Sequence, residues 1–170
     1  CKLSDLQGWG FDYWALGHVH VRTEYAGDRV VVMPGMPQGR DINEAGEKTV
    51  TLVTVNDDQS LRIEERTTST AQFERVPVDM SSAETWREAA DLIEAEITGA
   101  REQTRSQHLV ARLRLTGATP LSWRLRRDRD LLLAETEQRA ENLGNVWVEK
   151  IDLATTAPVS KPIGSARSEE

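Results

Sequence analysis

The chain has 170 residues with 38% hydrophobic and 29% charged side chains, which suits one domain of ordinary size, or the end of one domain followed by a small second one. Its formal net charge of −7 argues against a protein that coats DNA by neutralising phosphates, although local positive charge or bound metal ions would still allow action on DNA. No apolar run approaches the roughly 20 residues of a membrane-spanning helix, and no signal-peptide pattern is present, so no membrane partner is expected.

The single cysteine, Cys1, favours a reducing compartment. It has no partner for an internal disulfide, and no CxxC pair is present to hold zinc. We therefore expect a cytoplasmic protein. Because the chain begins at Cys1-Lys2-Leu3 without an initiator methionine, we also expect a fragment or a processed product.

Up to about Thr70 the pattern predicts a β-rich sheet. The predicted strands are 11–16, 22–25, 29–33, 49–55 and 61–66. The first is largely apolar, is expected to be buried, and ends at Gly17. Turns are predicted at Gly27, between the second and third strands, and at 56–58. The stretch 34–39 has too many Pro and Gly residues for a helix or a central strand, so it is predicted to be a shaped loop.

From about Phe73 the pattern predicts a β-α-β-α-β unit. Ser81 and Glu84 fit a capping box that opens a helix of about six turns, and Trp86 begins the apolar stripe of that helix. The next predicted elements are an alternating strand over 108–116, a helix over 129–141 and a strand over 146–151. Core packing is predicted for Trp14, Trp86 and Trp147, whereas Trp9 and Trp123 stay undecided.

These patterns divide the chain into three parts. Residues 1–70 form the β-rich part, 73–153 form the αβ unit, and 154–170 have few large apolar residues and are predicted to be a flexible tail. The fold class is α+β. In the αβ unit, two helices are expected to cover one face of a sheet.

The sharpest chemical feature is a pair of histidines, His18 and His20, directly after a predicted strand. In extended chain, residues two apart point to opposite sides, but a bend at Gly17 would let both rings face one cavity. Imidazole is a good ligand for Mn, Fe and Zn ions. The alternative is a strand end with two incidental histidines. The third histidine, His108, is interpreted as structural or exposed.

Three stretches of the chain, taken in order, resemble one family. Residues 11–20, ending in Gly17-His18-Val19-His20, resemble the terminal GHxH motif of calcineurin-like metallophosphoesterases, and most closely the "DYxALGHxH" of their DNA-repair exonuclease (SbcD-like) branch. Residues 33–48 are similar to the "YPGxPQGRxxNExGxKG" segment that follows in that branch, and 108–117 resemble a strand of its capping region. The resemblance runs from about Leu6 to Leu153. The GHxH motif is shared widely, whereas the three stretches together are more specific.

The resemblance implies C-terminal strands of a metallophosphoesterase β-sandwich followed by a small αβ capping domain. It assigns His18 to one divalent metal ion and His20 to the other, with manganese as the expected metal, so that both are catalytic ligands for hydrolysis of DNA phosphodiester bonds. The family's earlier ligand motifs (DxH, GDxxD, GNHD and another His) are absent. The chain alone is therefore expected to bind metal poorly and to hydrolyse little. Asp41 also stands where the pattern has His.

Four further residues are candidates for contact with DNA. Arg40 and Gln38 lie in the Pro- and Gly-rich segment and could reach a phosphate or a base; the alternative is a rigid connector. Arg112 and Arg114 share one face of a predicted strand and could follow a DNA backbone; the alternative is a solvated, charge-balanced face.

Three functions remain open from the sequence. The first is a manganese-type DNA-repair exonuclease, for which the resemblance also implies a homodimer and an ATPase subunit with long coiled coils. The second is a phosphoesterase acting on nucleotides or other small phosphates. The third is a non-catalytic module that docks DNA or the ATPase.

Overall fold

The computed structural model describes residues 2–25, 27 and 29–159. In chain order the elements are helix α1 (Leu3–Gly8), strands β1 (Tyr13–Ala15), β2 (Thr23–Tyr25) and β3 (Val30–Met33), a 3-10 helix (Ile42–Glu44), strands β4 (Thr49–Val55), β5 (Leu61–Thr67) and β6 (Ala71–Asp79), helix α2 (Trp86–Gln103), strand β7 (His108–Thr116), helices α3 (Ser122–Arg127) and α4 (Arg129–Leu143), and strand β8 (Val146–Leu153). Within these residues, several sheets and four helices confirm the predicted α+β class. No helix in the described ranges is long and apolar enough to cross a membrane.

The first sheet has the order β1-β3-β2. β1 runs parallel to β3 and β2 runs antiparallel to it, which confirms the predicted pairing of the second and third strands. The prediction of a largely buried strand over 11–16 is wrong, because β1 is shorter and Tyr13 and Trp14 are only half-buried. β1 is an edge strand with one neighbour, so burial falls instead on Val31 and Val32 of the central strand, both 0% exposed.

The second sheet is the predicted hairpin of β4 and β5. Its turn is closed by a hydrogen bond of 2.9 Å from the backbone nitrogen of Asn56 to the carbonyl oxygen of Ser60. The other predicted turn, around Gly27, lies partly outside the described residues, since Ala26 and Asp28 are not among them.

The third sheet is parallel, with β6, β7 and β8 side by side in sequence order. Helices α2 and α4 contact each other and also contact β6 and β8, so both lie on one face of the sheet, as predicted. The alternation predicted for β7 is confirmed. Its inward-facing residues are fully buried under the helices: Leu109, Ala111, Leu113 and Leu115. This layer of sheet and helices holds the main core.

Helix α2 begins later than predicted. The capping box is formed by Thr85 and Glu88, not by Ser81 and Glu84: the Thr85 hydroxyl accepts from the backbone of Glu88, whose carboxylate accepts from the backbone of Thr85 at 2.9 Å. The Ser81 hydroxyl instead donates to the side chain of Asp79 at 2.6 Å. With 18 residues, the helix has about five turns instead of six.

Trp147 is not a core residue, contrary to the prediction, because the register of β8 shifts. The pairing of β8 with β7 slips between Ala111 and Arg112, which is a β-bulge. Simple alternation would place Trp147 and Ile151 on one face, but the extra residue reverses the phase. Ile151 is therefore buried under the helices, while Trp147 is 52% exposed on the opposite face.

The first residues of the predicted tail are attached to the third sheet. The backbone nitrogen of Ala154 donates to the carbonyl oxygen of Leu115 at 2.8 Å, and that of Thr156 donates to Gly117 at 2.9 Å. Thr155 is 1% exposed. The part of the tail from 160 to 170 lies outside the described residues.

The central strand gives a test of the packing. We expect Leu113→Ala to lower the free energy of unfolding by about 2–5 kcal/mol, because it removes a fully buried side chain from a close-packed core. The next residue, Arg114, is exposed on the opposite face, so Arg114→Ala should change stability by no more than about 0.5 kcal/mol. Urea denaturation followed by circular dichroism measures both; equal effects would contradict the assignment of the two faces.

Candidate functional site

The histidine pair lies on an irregular segment after β1. The backbone of Leu16 still pairs with β3, donating to the carbonyl oxygen of Val32 at 2.8 Å, and the strand then ends. His18 has a φ of 96°, a backbone conformation that non-glycine residues rarely adopt. The sharp bend is thus at His18, not at Gly17 where it was predicted. Strain of this kind is often found at functional sites.

His20 is held by a carboxylate that the sequence reasoning missed. Its Nδ1 lies 2.9 Å from Oε1 of Glu44, in the 3-10 helix. The His20 side chain is 51% exposed, whereas that of Glu44 is only 12% exposed. The segment Asn43-Glu44 had been part of the family resemblance, but with no role assigned. Glu44 is distant in sequence from His20, so only the folded chain brings them together.

Arg40 holds the same carboxylate from the other side. Its backbone nitrogen donates to Oε2 of Glu44 at 2.9 Å, and its Nη2 donates to Oε1 at 2.5 Å. These hydrogen bonds lower the pKa of Glu44 from 4.5 to about 2, so the carboxylate is ionised at neutral pH. The bond to His20 adds a smaller contribution in the same direction. His20, Glu44 and Arg40 therefore form one connected cluster.

Two glycines let this segment approach the histidine. A Cβ atom on Gly35 would lie 2.9 Å from the backbone nitrogen of Arg22 and 3.1 Å from the carbonyl oxygen of His20, and its φ of +78° also favours glycine. A Cβ atom on Gly39 would lie 2.8 Å from the carbonyl oxygen of Glu44. The Pro- and Gly-rich segment predicted as a shaped loop thus packs directly against the backbone of both members of the His20–Glu44 pair.

Gln38 is engaged in structural hydrogen bonds. Its Nε2 donates to the carbonyl oxygens of Gly39 (2.8 Å) and Ala71 (2.7 Å), while its Oε1 accepts from the backbone nitrogen of Thr70 at 2.8 Å. The side chain thereby joins the loop to the start of β6. A contact between Gln38 and DNA, as predicted, would have to replace these bonds.

Asp41, which stands where the family pattern has His, caps the 3-10 helix. Its carboxylate accepts from the backbone nitrogen of Asn43 at 2.7 Å. The loop is tied to β6 at a further point, since the backbone nitrogen of Gly46 donates to the carbonyl oxygen of Phe73 at 2.9 Å. Asp41 therefore has a local structural role at the position where a histidine was expected.

Arg112 and Arg114 lie on the face of the third sheet that the helices leave open. Arg112 forms a two-point ion pair with Glu149, at 2.7 and 3.0 Å, and this pair raises the pKa of the guanidinium. Arg114 is exposed and faces Asp152 across the strand pair. The two arginines do not join the cluster around His20 through any hydrogen bond or ion pair of the described residues.

The third histidine, His108, is interpreted as structural or exposed from the sequence. It packs edge-on against Trp147, with ring centroids 4.9 Å apart. Its Nδ1 is buried and has no hydrogen-bond partner among the described residues.

The two histidines are side chains of a type that binds divalent metal ions, but they are too few to form a complete metal site. Imidazole nitrogens suit transition metals, and His20 keeps its Nε2 free while Nδ1 is bonded to Glu44. Within the described ranges, however, no group of three or more His, Cys, Asp or Glu side chains could hold an ion. His18 and His20 can therefore supply part of a ligand set, and the other donors would have to come from outside it.

Comparison with known proteins finds similarity to metallophosphoesterases. Residues 73–156 match the model of the middle domain of metallophosphoesterase YhaO. The chain is also 31% identical over 154 residues to the uncharacterized metallophosphoesterase YhaO of Bacillus subtilis (strain 168). This match covers 88% of the chain but 37% of the relative, so the chain spans little more than a third of that protein's length. Over most of its length, the chain is thus similar to a metallophosphoesterase.

The pKa of Glu44 tests the geometry of the cluster. Because the pKa is lowered on folding, the ionised carboxylate stabilises the fold above the unfolded value of 4.5, and this contribution is lost as pH falls through the folded value of about 2. We expect carbon-13 NMR titration of the Glu44 carboxyl group to give a pKa near 2, and Arg40→Ala to raise it toward 4.5.

His20→Ala is the matched control for this titration, since His20 contributes less to the shift and its removal should raise the pKa of Glu44 less than Arg40→Ala does. A pKa near 4.5 in the unaltered chain would show that Arg40 does not hold the carboxylate as described.

Proposed function

We propose that the chain is part of a divalent-metal phosphoesterase that hydrolyses DNA phosphodiester bonds, as in the DNA-repair exonuclease (SbcD-like) branch. The observation that carries the proposal is the attachment of His20 through Nδ1 to the carboxylate of Glu44, whose side chain is 12% exposed, while Nε2 of His20 forms no hydrogen bond within the described residues. The similarity to a metallophosphoesterase supports phosphoester hydrolysis in general. The choice of DNA and of manganese rests on the motif resemblance and remains our proposal.

In this proposal, residues of the chain bind the metal ions and orient the phosphate. His18 and His20 would each provide one imidazole nitrogen to a divalent metal ion, and such ions would supply electrostatic stabilisation of the phosphate and activation of a water molecule. Arg40 has 68% of its side chain exposed, although its Nε and Nη2 are directed to Glu44. Its Nη1 forms no hydrogen bond within the described residues, so this group can donate to a phosphate oxygen.

The remaining ligands are proposed to lie outside these 170 residues, because the described part supplies no complete metal site. The chain alone should therefore bind metal weakly and show little hydrolysis. We also propose, from the resemblance alone, that the complete protein forms a homodimer and works with an ATPase subunit.

The first test uses a longer protein that contains this chain and the missing ligands. We expect manganese-dependent cleavage of linear duplex DNA, and a loss of at least about 100-fold with His20→Ala, since a missing ligand removes metal-ion catalysis. A nucleotide monoester serves as the comparison substrate, and Arg87→Ala, an exposed residue of α2, as the control variant.

Cleavage of the monoester but not of DNA would keep the metal chemistry and favour a small-phosphate substrate. DNA cleavage that survives His20→Ala would reject the role of the histidine pair. DNA binding without any hydrolysis would favour a docking module.

The open sheet face gives a second test of DNA as substrate. Arg112 is neutralised by Glu149, whereas Arg114 forms no ion pair among the described residues, so Arg114 is the better candidate for a phosphate contact. The slope of log affinity against log salt concentration is negative. If Arg114 neutralises one phosphate, Arg114→Ala should reduce the magnitude of this slope by about 1. Fluorescence anisotropy with labelled duplex DNA measures this slope. Arg87→Ala should leave it unchanged, and an unchanged slope for Arg114→Ala would exclude Arg114 from the DNA-binding surface.

A further inference from the structure

The carboxylate of Glu44 is fixed in position more firmly than an exposed ion pair requires. It accepts from four donors: the backbone nitrogen, Nε and Nη2 of Arg40, and the ring of His20. One of these donors is the backbone itself, so the position of the carboxylate does not depend on flexible side chains alone. Glu44 is 12% exposed, although His20 and Arg40 are 51% and 68% exposed. The most buried member of the cluster is thus the residue between the two candidate functional groups.

The protonation of the His20 ring follows from this arrangement. The carboxylate of Glu44 already accepts from three nitrogens of Arg40, so in the 2.9 Å contact it is also the acceptor and Nδ1 of His20 is the donor. Nη2 of Arg40 also lies 3.4 Å from Nδ1, and as a donor it would favour the opposite tautomer, in which Nδ1 carries no proton. The same Nη2 lies 2.5 Å from Glu44, which is the much shorter contact. The hydrogen bond to Glu44 therefore determines the tautomer.

We propose that Glu44 is a positioning residue that holds His20 in the Nδ1-protonated tautomer and thereby leaves the lone pair of Nε2 available to a metal ion. The inference rests on the proposed function, because the tautomer matters for catalysis only if His20 is a ligand. Carboxylate partners of this kind fix the orientation of a metal-binding imidazole and raise its basicity. Arg40 in turn holds Glu44, and so links a candidate phosphate contact to the same ligand.

His18 provides an internal contrast. Its side chain forms no hydrogen bond within the described residues, and its backbone has an unusual φ of 96°. Only His20 of the two histidines is therefore held by a side-chain partner. Loss of Glu44 should affect His20 and leave His18 unchanged.

The experiment is long-range proton–nitrogen NMR of the 170-residue chain, labelled at histidine nitrogens, without metal and at about pH 8.5, above the ordinary titration range of histidine. We expect the His20 signals to report a proton on Nδ1 and a lone pair on Nε2. In Glu44→Ala the signals should move to the Nε2-protonated form or to a mixture. Glu44→Gln should keep the Nδ1-protonated form, because the amide oxygen still accepts. Glu24→Ala, which removes an exposed carboxylate paired with Arg22, is the control.

The outcomes separate the inference from the proposed function. Nε2 protonation of His20 in the unaltered chain, or an identical tautomer in Glu44→Ala, would overturn the positioning role. If Glu44→Ala does not fold, the unaltered chain and Glu44→Gln still test the positioning role. The inference requires His20 to be protonated on Nδ1 in both. In the longer protein, Glu44→Ala should weaken manganese binding, measured by electron paramagnetic resonance, by about 10- to 100-fold, with Glu44→Gln closer to the unaltered protein. An Nδ1-protonated His20 in a longer protein that binds no metal would reject the proposed function, while the hydrogen bond itself would stand.

Discussion

The parallel strand β7 is the constraint on which the rest of the fold depends. It is the middle strand of the third sheet, and its inward-facing residues are fully buried. Parallel neighbours on both sides require two crossover connections, and strands in sequence order with crossovers of one hand place both helices on the same face. The opposite face is therefore left without a helical cover. This explains why β7 alternates between apolar and polar residues, whereas a parallel strand covered on both faces would be apolar throughout.

The same sheet also supports the candidate site, although no residue of the His20–Glu44–Arg40 cluster lies in it. The outer edge of β6 accepts the loop through the Gly46–Phe73 backbone bond and the side chain of Gln38. This loop contains Arg40 and Glu44. The carboxylate that holds His20 is thus attached to the αβ unit, while His20 follows the first sheet. Any movement of one part against the other would change the contact between Glu44 and His20, because that contact joins them.

Local patterns predicted the elements well where the physical signal is local. Alternation identified β7 and β4, and apolar periodicity identified α2, because in these elements each residue's environment repeats with the period of the backbone. The same reasoning was wrong for Trp147, since a bulge in the pairing with β7 reverses the phase of β8. It also placed the start of α2 at Ser81, whose hydroxyl is taken by Asp79. Both differences depend on contacts between strands or turns, which a pattern along one segment does not contain.

At the candidate site, too, the sequence predicted the local feature and missed the contact that depends on the fold. The histidine pair stood out in the sequence because the two residues are only two positions apart and follow a strand. Glu44 did not, because its role depends on a loop closure that brings it to His20 from 24 residues away. Gln38 is polar and lies in the same loop, so sequence alone suggested substrate contact, but backbone groups of β6 use its amide. The type of a residue indicates what it can bind, and only the fold indicates which partner it has.

The charges of Glu44 and Arg40 compensate each other at the candidate site. Ionised Glu44 and Arg40 together carry no net charge, because the guanidinium offsets the carboxylate. A carboxylate next to a metal-binding histidine increases the affinity for a cation but would repel a phosphate if it were not compensated. Arg40 removes that repulsion and leaves Nη1 free to donate. The cluster can thus favour a cation at Nε2 without opposing an anionic substrate. For a chain with a net charge of −7, such local compensation supports the proposed hydrolysis of phosphate esters.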